Sequence, residues 1–247
     1  MAGTSGTSGT SGTSGTSGTA GKPSGKKPGH LADEHDTDSD SVLDQIGLRH
    51  DGDDLGEMRA ACIKVARRII QAGRAKQAGQ ADQPGLPTET RVVGFIPAED
   101  EVAVPPVMIQ LALSLSNLTG SPTAVVDANV RYPGLSMLAS EAQLGDTVYS
   151  TRWVSQSVAL LSPRGLKNAG EVVPQLARVV DDGAELFGHM LVDLTGFELI
   201  GEHASAAAGM DAVIVVAATH RTREPAVLGL ARVLPQDKFL GVLLVGS

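Results

Sequence analysis

The chain has 247 residues and a formal net charge of −8. That acidity argues against nucleic-acid binding by bulk electrostatics, and the single cysteine, Cys62, excludes an internal disulfide and suits a reducing cytoplasm. No apolar run approaches the roughly 18–20 residues of a membrane span and no signal-peptide apolar region follows Met1, so any membrane association is expected to come through a partner.

Residues 1–40 open with a Gly-Thr-Ser repeat over 3–19, continue with Lys22, Lys26 and Lys27 among prolines and glycines, and close on an acidic stretch from Asp33 to Asp40. Such a composition cannot offset its ordering entropy, so a disordered tail is expected, with a partner-binding tail as the alternative. Residues 41–90 read as an amphipathic helix and linker. Val42, Leu43, Ile46 and Leu48 form a short apolar cluster suited to a small docking helix. From Leu55 to Gln71, Leu55, Met58, Cys62, Val65, Ala66 and Ile69 recur at three- and four-residue spacing. Asp53 or Asp54 is the expected cap and Gly73 the expected stop. Arg59, Lys64, Arg67 and Arg68 take the other surface. Packing of one face on the domain is the first reading, an oligomer or partner contact the second. Residues 72–90 read as a linker.

Residues 91–247 alternate regularly. Strands are expected near 91–96, 123–127, 157–162, 189–193, 211–217 and 239–245, and helices near 106–119, 134–142, 171–187, 199–208 and 223–233. Val, Ile and Leu runs between helical segments predict an α/β fold, doubly wound, with a mainly parallel sheet covered by helices on both faces. Ligands of such sheets lie at the carboxyl ends of the strands. The stretch 143–156 reads as a loop, in which Tyr149 and Trp153 form a surface anchor or pack locally.

The order strand, loop, helix, strand-acid over 91–127 is the layout of P-loop ATPases. There a glycine-rich loop ending in Lys-Ser/Thr surrounds phosphates with backbone N–H groups and an ammonium. Here the loop runs Ala98-Glu99-Asp100-Glu101-Val102-Ala103-Val104-Pro105-Pro106. Its acids repel a triphosphate, Val104 stands where a lysine is needed, and Pro105 and Pro106 lack N–H groups, although both suit a first helical turn. Asp127 and Asp193 end their strands where magnesium-binding acids usually lie. Three roles stay open for them: capping a helix or loop, a divalent site without phosphate, and acid/base hydrolysis by a carboxylate pair. His189, His203 and His220 show no metal-ligand spacing, and no Ser/His/Asp arrangement stands out. Arg131, Arg221 and Arg223 follow strand ends facing this site, where internal pairing with the loop acids and contact with an acidic partner are the two readings.

These residues resemble the bacterial tyrosine kinases of capsule and exopolysaccharide synthesis and, more broadly, the partition-type ATPases, over about 55–247. Val126-Asp127-Ala128-Asn129-Val130-Arg131-Tyr132-Pro133 is similar to the family's Asp-Ala-Asp-Leu-Arg-Arg-Pro motif, and Leu191-Val192-Asp193-Leu194-Thr195-Gly196 to its third motif. Laid on the chain without insertion, the family's final Gly-Lys-Ser-Thr falls on Ala103, Val104, Pro105 and Pro106. The Glu-x-x-Arg-x-x-Arg spacing used in ring formation is not reproduced from Glu57, and no tyrosine-rich tail follows the last strand. The resemblance therefore implies a degenerate member: no cofactor, no catalytic residue and no metal, with Ala98, Ala103, Val104, Pro105, Pro106, Asp127 and Asp193 as a vestigial site. It implies a scaffold or regulatory subunit in polysaccharide assembly or export. Its expected partner is a membrane chain-length co-polymerase or an active kinase homologue, a homo-oligomer being a further option. It would be cytoplasmic, or recruited by that partner to the inner membrane. Two rivals follow from the same residues: an ATP-using enzyme with an unorthodox site, and a positioning protein derived from the partition ATPases.

Overall fold

The computed structural model of the protein describes residues 52–78, 91–99, 102, 104–129, 149–163, 172–197 and 201–246. The tail 1–40, the apolar cluster 42–48, the stretch 79–90, Arg131 and the helix expected at 134–142 lie outside the described residues. In chain order the elements are α1 (Gly52–Ala78), β1 (Arg91–Pro97), α2 (Pro105–Thr119), β2 (Thr123–Asp127), β3 (Tyr149–Ser155), β4 (Val158–Pro163), α3 (Val172–Gly183), β5 (His189–Asp193), α4 (His203–Ala208), β6 (Ala212–Ala218), α5 (Glu224–Val233) and β7 (Phe239–Val245). The strands form one sheet in the order β3-β4-β2-β5-β1-β6-β7. Every pairing is parallel except β3 with β4.

The central strands are buried on both faces, which their continuous Val, Ile and Leu runs require. Alternate residues feed two apolar clusters. Val93, Phe95, Val125, Leu191 and Ile214 pack with Cys62, Ala66 and Ile69 of α1 and with Met108, Leu111 and Leu115 of α2. Ile96, Val126, Met190, Val192, Val213 and Val215 pack on the other face, with Leu176 and Val179 of α3 and Ala206 and Ala207 of α4. This is the doubly wound α/β sheet expected from the alternation. No helix among the described residues is long and apolar enough to cross a membrane.

Three expectations need correction. The stretch read as a loop over 143–156 contains a strand, β3, which pairs antiparallel with β4 at the sheet edge. Its Tyr-Ser-Thr-Arg-Trp-Val sequence is rich in aromatic and β-branched residues that suit a pleated, half-buried surface. Helix α1 does not stop at Gly73 but runs on to Ala78. A Cβ at Gly73 would collide with the Arg91 guanidinium, so this glycine permits a close approach and does not end the helix. Helix α3 ends at Gly183, short of 187, where Gly183 C=O accepts hydrogen bonds from Leu186 and Phe187 N–H.

Candidate functional site at the carboxyl ends of β1, β2 and β5

Asp127 and Asp193 are register partners at the last residues of β2 and β5, and Phe95 of β1 is the next partner in the row. Strand alternation puts both acids on the same face as Val125, Leu191 and Phe95, the face covered by α1 and α2. Both are buried, at 1% and 0% exposure. Asp127 Oδ1 accepts the Asn129 N–H at 3.1 Å. Asp193 Oδ1 accepts the Thr195 N–H at 3.0 Å and the Thr195 hydroxyl at 2.5 Å. Each acid thus organises the turn that leaves its own strand, with its partner two residues on. Asp193 Oδ2 is buried and has no hydrogen-bond partner among the described residues. Burial raises the Asp193 pKa above the ordinary carboxylate range, against the opposing pull of Thr195 and of the Asn129 side chain. Tyr149, read as a surface anchor or as local packing, is fully buried at the start of β3. Its phenol is pushed well up by burial and then by the negative charge of Asp127. Trp153 is half exposed, with its ring centroid 6.0 Å from that of Phe187.

The loop after β1 stays close to the sheet. Ala98 N–H donates to Val216 C=O at 2.7 Å, prolonging the β1–β6 pairing, and Val102 N–H donates to Glu99 C=O at 3.2 Å. Val104 is 1% exposed and belongs to the apolar cluster beneath α1 and α2. Its C=O accepts the Met108 N–H at 3.1 Å and so opens α2, with no side-chain cap. Pro105 and Pro106 fill the first two helical positions. Of the four N–H groups that a helix start ordinarily leaves free, Pro105 and Pro106 remove two, so only those of Val104 and Val107 exist. Asp100, Glu101 and Ala103 lie outside the described residues.

The β6–α5 connection borders this loop. Glu99 Oε1 accepts the Arg223 backbone N–H at 3.4 Å, so the two meet through the main chain. Both Arg221 and Arg223 are exposed. His220 adopts φ 63° in the tight turn between them and β6, and Thr222 Oγ1 closes that turn by accepting the Ala218 N–H at 2.8 Å. Among the described residues, no group of three His, Cys, Asp or Glu side chains is placed to hold a metal ion.

The structure thus gathers Asp127 and Asp193, and Glu99 with Arg223, while Arg221 stands at the surface. From sequence, Asn129 and Thr195 carry no role, and Tyr149 reads only as a surface anchor or local packing beside Trp153. For the first two, an Asp-x-Asn or Asp-x-Thr spacing at a strand end is a readable turn signal; for Tyr149 no local signal exists.

A parallel core sheet in this strand order, with an acid closing each of two adjacent central strands, is a P-loop NTPase fold. It is the fold of bacterial tyrosine-kinase domains. The BceF tyrosine kinase domain matches at a TM-score of 0.57 and 16% identity, over 85% of this chain and 88% of that one. The VpsO kinase domain matches at 0.54 and 19% identity, over 73% and 96%. The kinase domain of Escherichia coli tyrosine kinase ETK matches at 0.51 and 14% identity, over 65% and 69%. No family model and no curated protein matches the sequence.

Proposed function

We propose that the chain is a catalytically inactive, kinase-like subunit that works by binding other proteins, as a scaffold or regulator of polysaccharide assembly or export. One observation carries the reading: Val104, aligned with the phosphate-gripping lysine, is a core residue that opens α2 directly into two prolines. A triphosphate at that helix end would meet no ammonium and only two of the four N–H donors that a helix start normally offers. The groups present also fit Mg²⁺ poorly. Asp193, the counterpart of a metal-positioning acid, is fully buried, and its Oδ1 is committed to the Thr195 N–H and hydroxyl, which leaves little of it to meet a hard cation. Glu99 adds a negative group at the mouth of the loop, tied to the Arg223 main chain. The pathway follows from the motif resemblance, and the expected partner is a membrane chain-length co-polymerase or an active kinase homologue.

Calorimetric titration of the full chain with ATP and Mg²⁺ tests this reading. No saturable heat is expected, and a micromolar dissociation constant would overturn it. Affinity capture from the native host, followed by identification of the bound protein, tests the partner class.

A further inference from the structure

Helix α5 holds no buried residue; its Val227 and Leu230 rest only partly buried on the sheet. Glu224, Leu228 and Arg232 recur every four residues, so they share one stripe of the helix, and all three are exposed, Leu228 at 45%. The stripe is thus acidic at its amino end, apolar in the middle and basic at its carboxyl end. Neither charge makes an ion pair among the described residues. Beside it, β7 ends the sheet, and no strand among the described residues pairs with its outer edge. Val242 and Leu244 are register partners of Val215 and Ala217, which puts them on the face that α5 covers, yet they are 42% and 63% exposed. The register shift of β7 falls before Gly241. Val242–Val245 is therefore a regular stretch, with neither the charges nor the proline that ordinarily blunt an open edge.

We propose that α5 and β7 together receive a second copy of this chain, in a dimer with two-fold symmetry. A contact of that kind must be complementary to itself. The stripe on α5 meets this condition when two copies lie antiparallel: Glu224 of each faces Arg232 of the other, and Leu228 meets Leu228 at the centre. A strand without charge also pairs with itself free of like-charge repulsion. Antiparallel pairing of Val242–Val245 across the same axis joins the two sheets edge to edge. It carries the two α5 helices past each other in opposite directions, over a floor made by Val242 and Leu244 of both copies. The charge order along α5 is what selects a second copy over an unrelated strand, which would need only the open edge. The anchors are few beside the roughly 20–30 residues a side of a standard interface, so a micromolar dimer is expected. This inference uses no nucleotide chemistry and stands or falls separately from the inactive-kinase reading.

Sedimentation equilibrium of the full chain, over concentrations reaching several hundred micromolar, supplies the test. A monomer–dimer equilibrium is expected. Glu224→Arg and Arg232→Glu should each weaken it by about fivefold or more, because each sets like charges together at both ends of the pair. The double variant Glu224→Arg/Arg232→Glu should recover most of the wild-type affinity, since exchanging the charges keeps them opposite across the axis. Leu244→Lys should abolish the dimer by placing an ammonium on the open edge. All of these side chains are exposed, and circular dichroism checks each fold. A chain that stays monomeric throughout would overturn the proposal, leaving the edge to a different protein. So would a dimer that none of the substitutions moves, a double variant no tighter than the single ones, or association that grows past two copies.

Discussion

Asp127 and Asp193 are the closing residues of neighbouring parallel strands, paired in register, and both are withdrawn from solvent. One Asp193 oxygen accepts from Thr195, while the other is buried with no hydrogen-bond partner among the described residues. Because burial raises the Asp193 pKa in the folded protein, its contribution to stability is full below the unfolded carboxyl pKa and is lost as pH rises through the folded value. Asp193→Asn removes the titration and keeps an acceptor for Thr195. The wild type is therefore expected to gain stability relative to this variant as pH falls from neutrality towards 4, at no more than about 1.4 kcal/mol per pH unit. Denaturant unfolding of both proteins at several pH values measures the difference.

At the opposite end of the same strand, His189 responds in the other direction. Burial, and then the charge of Arg91, lowers its pKa, so the neutral imidazole is the folded form. Its contribution is present above the unfolded histidine pKa and is lost as pH falls through the folded value. His189→Gln should lessen the acid sensitivity of unfolding between about pH 7 and 5. The unfolding midpoint of variant and wild type across that range checks it.

Replacing Val104 by lysine supplies the residue type of a phosphate grip without building the grip. The side chain would enter the apolar cluster at a position 1% exposed, and an unpaired buried ammonium is strongly destabilising. The expected outcome is a loss of roughly 3 kcal/mol or more, or failure to fold, with no gain in ATP affinity. Unfolding curves and calorimetry on the same preparation decide it.

Gly94, in the middle of β1, lies against Leu194 and Met210. A methyl group there would come within 2.8 Å of Leu194 Cδ1 and 3.0 Å of Met210 Cγ. Gly94→Ala is expected to cost about 1–3 kcal/mol through overpacking beside the candidate site. Gly229→Ala in α5, where a Cβ meets open space, should be neutral or stabilising by up to ~1 kcal/mol and serves as the control.

Cys62 reports whether α1 stays docked. Burial pushes its thiol pKa up to about 11, and the side chain is 1% exposed among the core residues. At pH 8 a thiol reagent is expected to leave the native protein unmodified and to react stoichiometrically in guanidinium. Rapid labelling under native conditions would mean that α1 separates from the sheet.

The sheet was legible because its central strands are unbroken apolar runs separated by helical segments, a pattern that parallel burial on both faces demands. Strand β3 was not, because its alternation is masked by Ser150, Thr151 and Ser155 and its pairing with β4 depends on a neighbour in space. Gly73 misled for a related reason: its purpose is to admit Arg91, which comes from β1 and not from the helix itself. In the candidate site, the positions of Asp127 and Asp193 followed from strand ends. The burial of Tyr149 and of Asp193 follows from packing across the sheet, which no local pattern records.

Val104 ties two tasks to one side chain. It plugs the interior and launches α2, so a charged residue placed there would have to displace the hydrophobic floor before it could meet any ligand. Substitution at this point is therefore felt first as folding and only afterwards as chemistry.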